Sequence, residues 1–125
     1  MEKDNVKFKI EFKGRLYRWV VGLVHYIGDL PKDNVTQVLA QQLLRSGTSV
    51  CANYIEAQAG ASKKDFANFL HHALKSGNES KFWLALLRDT RKADPRRTAA
   101  LLAELTELCN ILAASLLTIK GRRQP

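Results

Sequence analysis

The sequence predicts an all-α protein, an antiparallel up-down four-helix bundle. Three observations carry this expectation. Three breaks separate four segments of twenty to thirty residues, and each segment repeats its apolar residues with helical rather than alternating spacing. Glycine and proline are scarce, seven and three in 125 residues, against an average near ~12%. No run with strand alternation occurs anywhere in the chain. Length fits one domain spanning residues 1–125, since domains cluster around ~100–150 residues.

The first helix is predicted over 9–30. Phe12, Leu16, Trp19, Leu23, Ile27 and Leu30 recur at steps of three, four and seven, one stripe of an amphipathic helix. Leu30-Pro31-Lys32-Asp33 ends it. The second helix, 34–59, opens behind Asp33 or Asn34 as N-cap and carries Val35, Val38, Leu39, Leu43, Ser46, Val50 and Ala57. Ala59-Gly60-Ala61-Ser62 forms the second break. The third helix, 63–92, starts at the capping residue Ser62, with Asp65 three positions on. Its stripe is Phe66, Phe69, Leu70, Ala73, Leu84 and Leu87. The fourth, 95–120, starts with Asp94 as N-cap and Pro95 at the first helical position. Leu101, Leu105, Leu108, Leu112, Leu116 and Ile119 follow, and residues 121–125 form a basic tail. Short connections make each helix fold back on its predecessor.

The apolar sides are wider than one core needs. Tyr17, Val21 and Val24 lie off the first stripe, and Phe82 and Leu86 lie opposite the third. Grouped apolar residues outside a core mark an interface, so self-association is expected.

Little supports catalysis. His25, His71 and His72 are the only histidines. Adjacent residues on a helix point about 100° apart, so His71 and His72 do not share a metal easily. No Cys-x-x-Cys, Glu-x-x-His or Gly-x-Ser-x-Gly motif appears. No metal, cofactor or enzymatic activity is expected. Cys51 and Cys109 read as reduced, buried thiols of a cytoplasmic protein. The charged opening Met-Glu-Lys-Asp-Asn lacks a following apolar segment, so neither a signal peptide nor a membrane partner is expected. Gly47 and Gly77, both mid-helix, are expected to let helices approach closely.

Charge is the functional signal. Net charge is +8, which attracts polyanions. The excess sits on the first and third segments and on the tail. The sequence candidates for phosphate contact are Arg15, Arg18, Lys75, Arg88, Arg91, Arg122 and Arg123. No helix-turn-helix, zinc finger or aromatic RNA-binding signature is present, so base-specific readout is not expected.

A polar stretch in the second segment stands apart. Arg45, Ser49 and Glu56 fall on nearly one line, with Asn53 beside it. The expected role is a hydrogen-bonded seam between the second and third helices that includes an Arg45–Glu56 contact.

Three ordered motifs carry a resemblance: Leu44-Arg45-Ser46-Gly47-Thr48-Ser49-Val50-Cys51-Ala52-Asn53-Tyr54-Ile55-Glu56-Ala57, then Ser62-Lys63-Lys64-Asp65-Phe66, then Ala73-Leu74-Lys75-Ser76-Gly77-Asn78-Glu79. They resemble the four-helix-bundle protein family. That family includes proteins encoded in intervening sequences of large-subunit ribosomal RNA genes and the accessory variability determinants of diversity-generating retroelements. The resemblance implies a bundle assembling as a pentameric ring. For the accessory determinants it implies RNA or DNA binding and a reverse transcriptase partner. Arg45, Ser49, Asn53, Glu56, Asp65, Phe66 and Glu79 match as a fold signature. Two functions compete: a basic nucleic-acid-binding accessory protein partnering a reverse transcriptase, and an oligomeric protein-only scaffold of the intervening-sequence branch.

Overall fold

The computed structural model describes residues 2–60 and 62–122. They form four helices: α1 Glu2–Gly28, α2 Asn34–Ala59, α3 Lys63–Asp89 and α4 Pro95–Arg122. No strand occurs among the described residues. Each helix packs on two neighbours, in the cyclic order α1, α2, α3, α4, and diagonal pairs do not meet. Cross-links run antiparallel. On α1 and α4, Arg15 meets Glu104, Trp19 meets Leu101, Tyr26 meets Thr98 and Asp29 meets Arg97.

The helix starts follow local chemistry. Asp33 caps α2: its Oδ1 accepts from Thr36 N (3.0 Å) and its Oδ2 from Thr36 Oγ1 (2.7 Å). Ser62 Oγ accepts from Asp65 N at the head of α3 (3.1 Å). Asp94 caps α4, its Oδ1 accepting from Arg96 N (2.9 Å).

Two helix ends differ from expectation. α1 begins at Glu2 rather than near residue 9. Phe8 stacks on Phe12 (5.8 Å between centroids), and Lys7 pairs with Glu11 one turn on, so the extra turns have local support. α3 ends at Asp89 rather than 92. Arg91 has φ 58°. Lys92 N donates to Leu87 O (2.9 Å) and Arg91 N to Arg88 O (3.0 Å). This is a Schellman termination with arginine where glycine usually sits.

Leu16, Leu23, Leu43, Leu70, Leu84, Leu105, Leu108 and Leu112 are fully buried at the centre. Phe12 meets Tyr54 edge-on at 4.9 Å. Burial of Tyr54 pushes its phenol up to about 12. Two mid-helix glycines, Gly47 and Gly77, sit at close approaches. A Cβ on Gly47 would collide with Leu23 Cδ2 of α1, and one on Gly77 would lie 2.5 Å from Cys109 Sγ of α4. The α2/α3 interface is the most extensive and α1/α4 the sparsest. By length and composition α4 is apolar enough to cross a membrane; here its leucine stripe joins the core.

Candidate functional site

The α2/α3 seam gathers most of the polar signature. Arg45 reaches across to Glu79 and also donates to Gln42 Oε1 (3.1 Å) on its own helix. Glu79 Oε2 accepts in addition from Trp83 Nε1 (2.8 Å). The Trp83 hydrogen bond, then Arg45, holds the Glu79 carboxyl below its ordinary range. Along α2, Ser49 Oγ donates to Arg45 O (2.9 Å) and Asn53 Nδ2 to Ser49 O (2.8 Å). Beneath this layer the Ser46 and Ser80 hydroxyls hydrogen-bond to each other (2.8 Å), with Leu43 O 3.3 Å from Ser46 Oγ and Ser76 O 2.8 Å from Ser80 Oγ as the backbone acceptors beside them. The serines replace apolar contact with a paired polar contact, which suits two helices in close packing.

The expected Arg45–Glu56 contact does not form. Glu56 is exposed, and among the described residues it makes no ion pair. Eleven residues bring two positions back to the same side of a helix, but about 16 Å apart along its axis. Arg45 therefore finds its carboxylate on α3, at Glu79. Asp65 is exposed at the head of α3, where its backbone is capped by Ser62. Phe66 packs half-buried against the core. Arg45, Ser49, Asn53 and Glu79 thus share one seam, while Glu56, Asp65 and Phe66 lie apart from it. A groove of about 540 Å³ opens beside the seam, lined by Asn53, Phe69, His72, Lys75, Ser76 and Glu79.

The basic candidates do not form one patch. Arg15 is occupied. Its Nε and Nη2 grip both Glu104 oxygens (2.7 Å each), and Nη2 also meets Glu107 (2.9 Å). The Glu104 hydrogen bond raises the Arg15 pKa, and Arg15 in turn holds the Glu104 carboxyl low. With two carboxylates around it, Arg15 is engaged in ion pairs, unlike the free cation expected there from the sequence. Arg18 is exposed and lines an α1/α4 groove of about 400 Å³ with Trp19, Gly22 and Leu101. Lys75 is exposed at the α2/α3 groove. Arg88 is paired with its neighbour Asp89 (2.9 Å). Arg91 is exposed in the α3–α4 connection. The Arg122 side chain and Arg123 lie outside what the structure describes.

Exposed apolar side chains extend beyond those marked in the sequence. Val6, Ile10, Tyr17, Val21 and Val24 recur along α1 at steps of four, seven, four and three, one face of the helix. Leu44 and Ile55 are exposed on α2, and Phe82 on α3 is 56% exposed against Trp83. Leu86, expected outside the core, is half-buried. Val6 lies in the turns of α1 ahead of the expected start, whereas Ile10 lies within the expected 9–30 and was not singled out. No group of three metal-ligating side chains converges among the described residues. Cys51 and Cys109 are buried free thiols, and burial raises both.

Residues 16–114 match the family described as 23S rRNA-intervening sequence protein. The chain belongs to that family. A crystal structure of a protein of unknown function from the S23 ribosomal protein family, from Bacteroides thetaiotaomicron VPI-5482, is 32% identical to this chain. The match covers 84% of this chain and 97% of that one, with a TM-score of 0.79. No curated protein matches. The four-helix arrangement is therefore shared with a solved protein of the S23 family.

Proposed function

We propose that this family member is a non-enzymatic, basic, oligomeric protein that binds nucleic acid through phosphates. The observation that carries the reading is the surplus of cations, +8 on a 125-residue chain, with Arg18 and Lys75 exposed beside grooves and in no ion pair among the described residues. Phosphate contact asks only for mobile positive charge at a surface, with no base-reading motif. The described side chains include no metal-ligand cluster.

Assembly belongs to the same proposal. The α1 apolar face and Phe82 on α3 are different surfaces of one chain, and Leu44 and Ile55 are exposed on α2. A contact between unlike surfaces is heterologous, and when its rotation closes it makes a ring. A pentamer is the ring that the family resemblance implies, and a reverse transcriptase is the protein partner it implies. A ring would repeat each weak phosphate contact in every subunit and raise binding through avidity.

The second reading, an oligomeric protein-only scaffold, is favoured by the same apolar face and by the neutralisation of Arg15. Anisotropy titrations on unrelated RNA and DNA at several salt concentrations separate the two. Binding is expected to weaken with salt by about −0.7 to −0.9 in log–log slope per phosphate contact. Reversing Arg18 and Lys75 to glutamate is expected to weaken it by tenfold or more while helicity and mass by light scattering persist. Arg15 is left intact in that variant, because Arg15→Glu would crowd three carboxylates at the α1/α4 seam. Absence of binding at low salt would favour the scaffold, and a clean monomer would remove both the ring and its avidity.

A further inference from the structure

The end of the bundle that carries the α1–α2 and α3–α4 connections holds six cations within a few residues: Lys32, Arg88, Arg91, Lys92, Arg96 and Arg97. Four carboxylates accompany them, and each is engaged. Asp29 is held by Arg97 (2.9 Å), Asp33 by Lys92 (3.6 Å) and Asp89 by Arg88 (2.9 Å). Asp94 is spent on capping α4. Lys32, Arg91 and Arg96 are left with no ion pair among the described residues; Lys32 donates only to the Gly28 carbonyl (2.9 Å).

Three of the six cations, Arg91, Lys92 and Arg97, line a cleft of about 280 Å³ between the two connections. Leu30, Pro31 and Ala93 supply its apolar lining, and Tyr26 and the carboxylates of Asp29 and Asp94 line it beside the cations. Arg97 is fixed in place: its guanidinium carbon lies 5.7 Å from the Tyr26 ring centroid while it pairs with Asp29. Tyr26 is in turn fixed by donating to Thr98 Oγ1 (2.7 Å), since Thr98 donates its own hydroxyl to Asp94 O. Arg97 and Tyr26 on the cleft lining are thus held in place before any ligand arrives.

Arg91 adds a separate argument. Its φ of 58° is a conformation in which glycine is more stable than any L-residue. The Schellman termination works with glycine there. The chain instead places a guanidinium at this point, on the lining of the cleft and in surplus over the carboxylates. A residue that the local backbone disfavours is accounted for when its side chain has a task.

We infer that this end of the bundle is a phosphate-binding subsite in which Arg91 on the cleft lining and Arg96 at the head of α4 supply the unpaired charge that meets a phosphate group, beside the paired Arg97; its assignment to a nucleic-acid backbone rests on the reading above. A free phosphorylated compound offers the same group, and the experiment separates the two sources.

Arg91→Gly/Arg96→Gln is compared with Lys63→Gln/Lys64→Gln, which makes the same charge change at the opposite end of the bundle. Inorganic phosphate at millimolar concentration is titrated while backbone amide shifts are followed. Single-stranded RNA and DNA oligonucleotides are titrated by anisotropy across salt. The expected result is phosphate-dependent shifts confined to residues 29–33 and 90–97. The first variant should also lose oligonucleotide affinity by about tenfold, with a salt slope shallower by about 1–2, and the second should lose clearly less. The melting temperature of the Arg91→Gly/Arg96→Gln protein is expected to rise by a few degrees, because glycine relieves the backbone at position 91, so lost binding is not lost folding. Phosphate binding without oligonucleotide binding supports the subsite and overturns the nucleic-acid reading. Oligonucleotide binding that both variants lose equally, or that the first variant keeps, overturns the subsite and leaves the nucleic-acid reading standing. Absence of loop-end shifts with phosphate also overturns the subsite.

Discussion

Gly77→Ala tests how tightly α3 and α4 are pressed together. A Cβ added at Gly77 would lie 2.5 Å from Cys109 Sγ, 3.8 Å from Leu105 Cδ1 and 3.9 Å from Val50 Cγ2. Leu105 and Val50 are at ordinary contact distance, but the sulfur is about 1 Å inside it. Cys109 is 2% exposed, so its side chain has no solvent to move into and the helices must part or the thiol must change rotamer. Overpacking of this kind costs about 1–3 kcal/mol. Replacing a mid-helix glycine by alanine returns up to about 1 kcal/mol of helix propensity. The clash wins, and a net loss of about 1 kcal/mol is expected, or about 3–5 °C in melting temperature for a chain of this size. Cys109→Ala removes the colliding atom. Alone it should cost about 1 kcal/mol of lost burial; in the Gly77→Ala background that cost should vanish, giving a coupling of about 1 kcal/mol. Thermal and urea unfolding of the four proteins at one fixed concentration measures this, since self-association would make apparent stability depend on concentration. Additive effects, or a Gly77→Ala protein more stable than the parent, would refute the close-approach argument.

Three further outcomes are expected. Arg45→Ala and Glu79→Ala should couple by less than about 1 kcal/mol, because both groups are partly exposed, whereas Arg45→Ala and Glu56→Ala should add to within about 0.5 kcal/mol; melts of the two cycles decide which carboxylate Arg45 uses. Glu104 is held below its ordinary pKa by Arg15, so its contribution is complete above the unfolded value near ~4.3 and is lost as pH falls through the lowered folded value; Glu104→Gln should therefore flatten the fall in melting temperature below about pH 4.5, and an unchanged acid limb would show the pair to be idle. Glu104→Gln/Glu107→Gln should also release Arg15 to solvent and tighten oligonucleotide binding at low salt, with a salt slope steeper by up to about 1 in anisotropy titrations; an unchanged slope would place the phosphate contacts elsewhere on the surface.

Much of this fold was legible in the sequence because it rests on local physics. The leucine spacing, Asp33, Ser62 and Asp94-Pro95 each act within one or two turns, and α2 and the heads of α3 and α4 fall where those signals put them. Exposed apolar side chains were legible in part for the same reason, since Tyr17, Val21, Val24 and Phe82 lie off their stripes. The end of α3 was not, because no glycine marks it; Arg91 takes the left-handed conformation only where the α3–α4 connection requires it. Charge pairing was the least legible property. Arg45 meets Glu79, 34 residues away, and Arg15 meets Glu104, 89 residues away. Periodicity says which side of a helix a side chain occupies, but not which residue of the neighbouring helix stands opposite. That depends on the register of packed helices, set here by contacts such as Gly77 against Cys109 and Ser46 against Ser80. The sequence therefore determined the amount of positive charge and its helices, and the tertiary structure decided which cations are neutralised and which remain free.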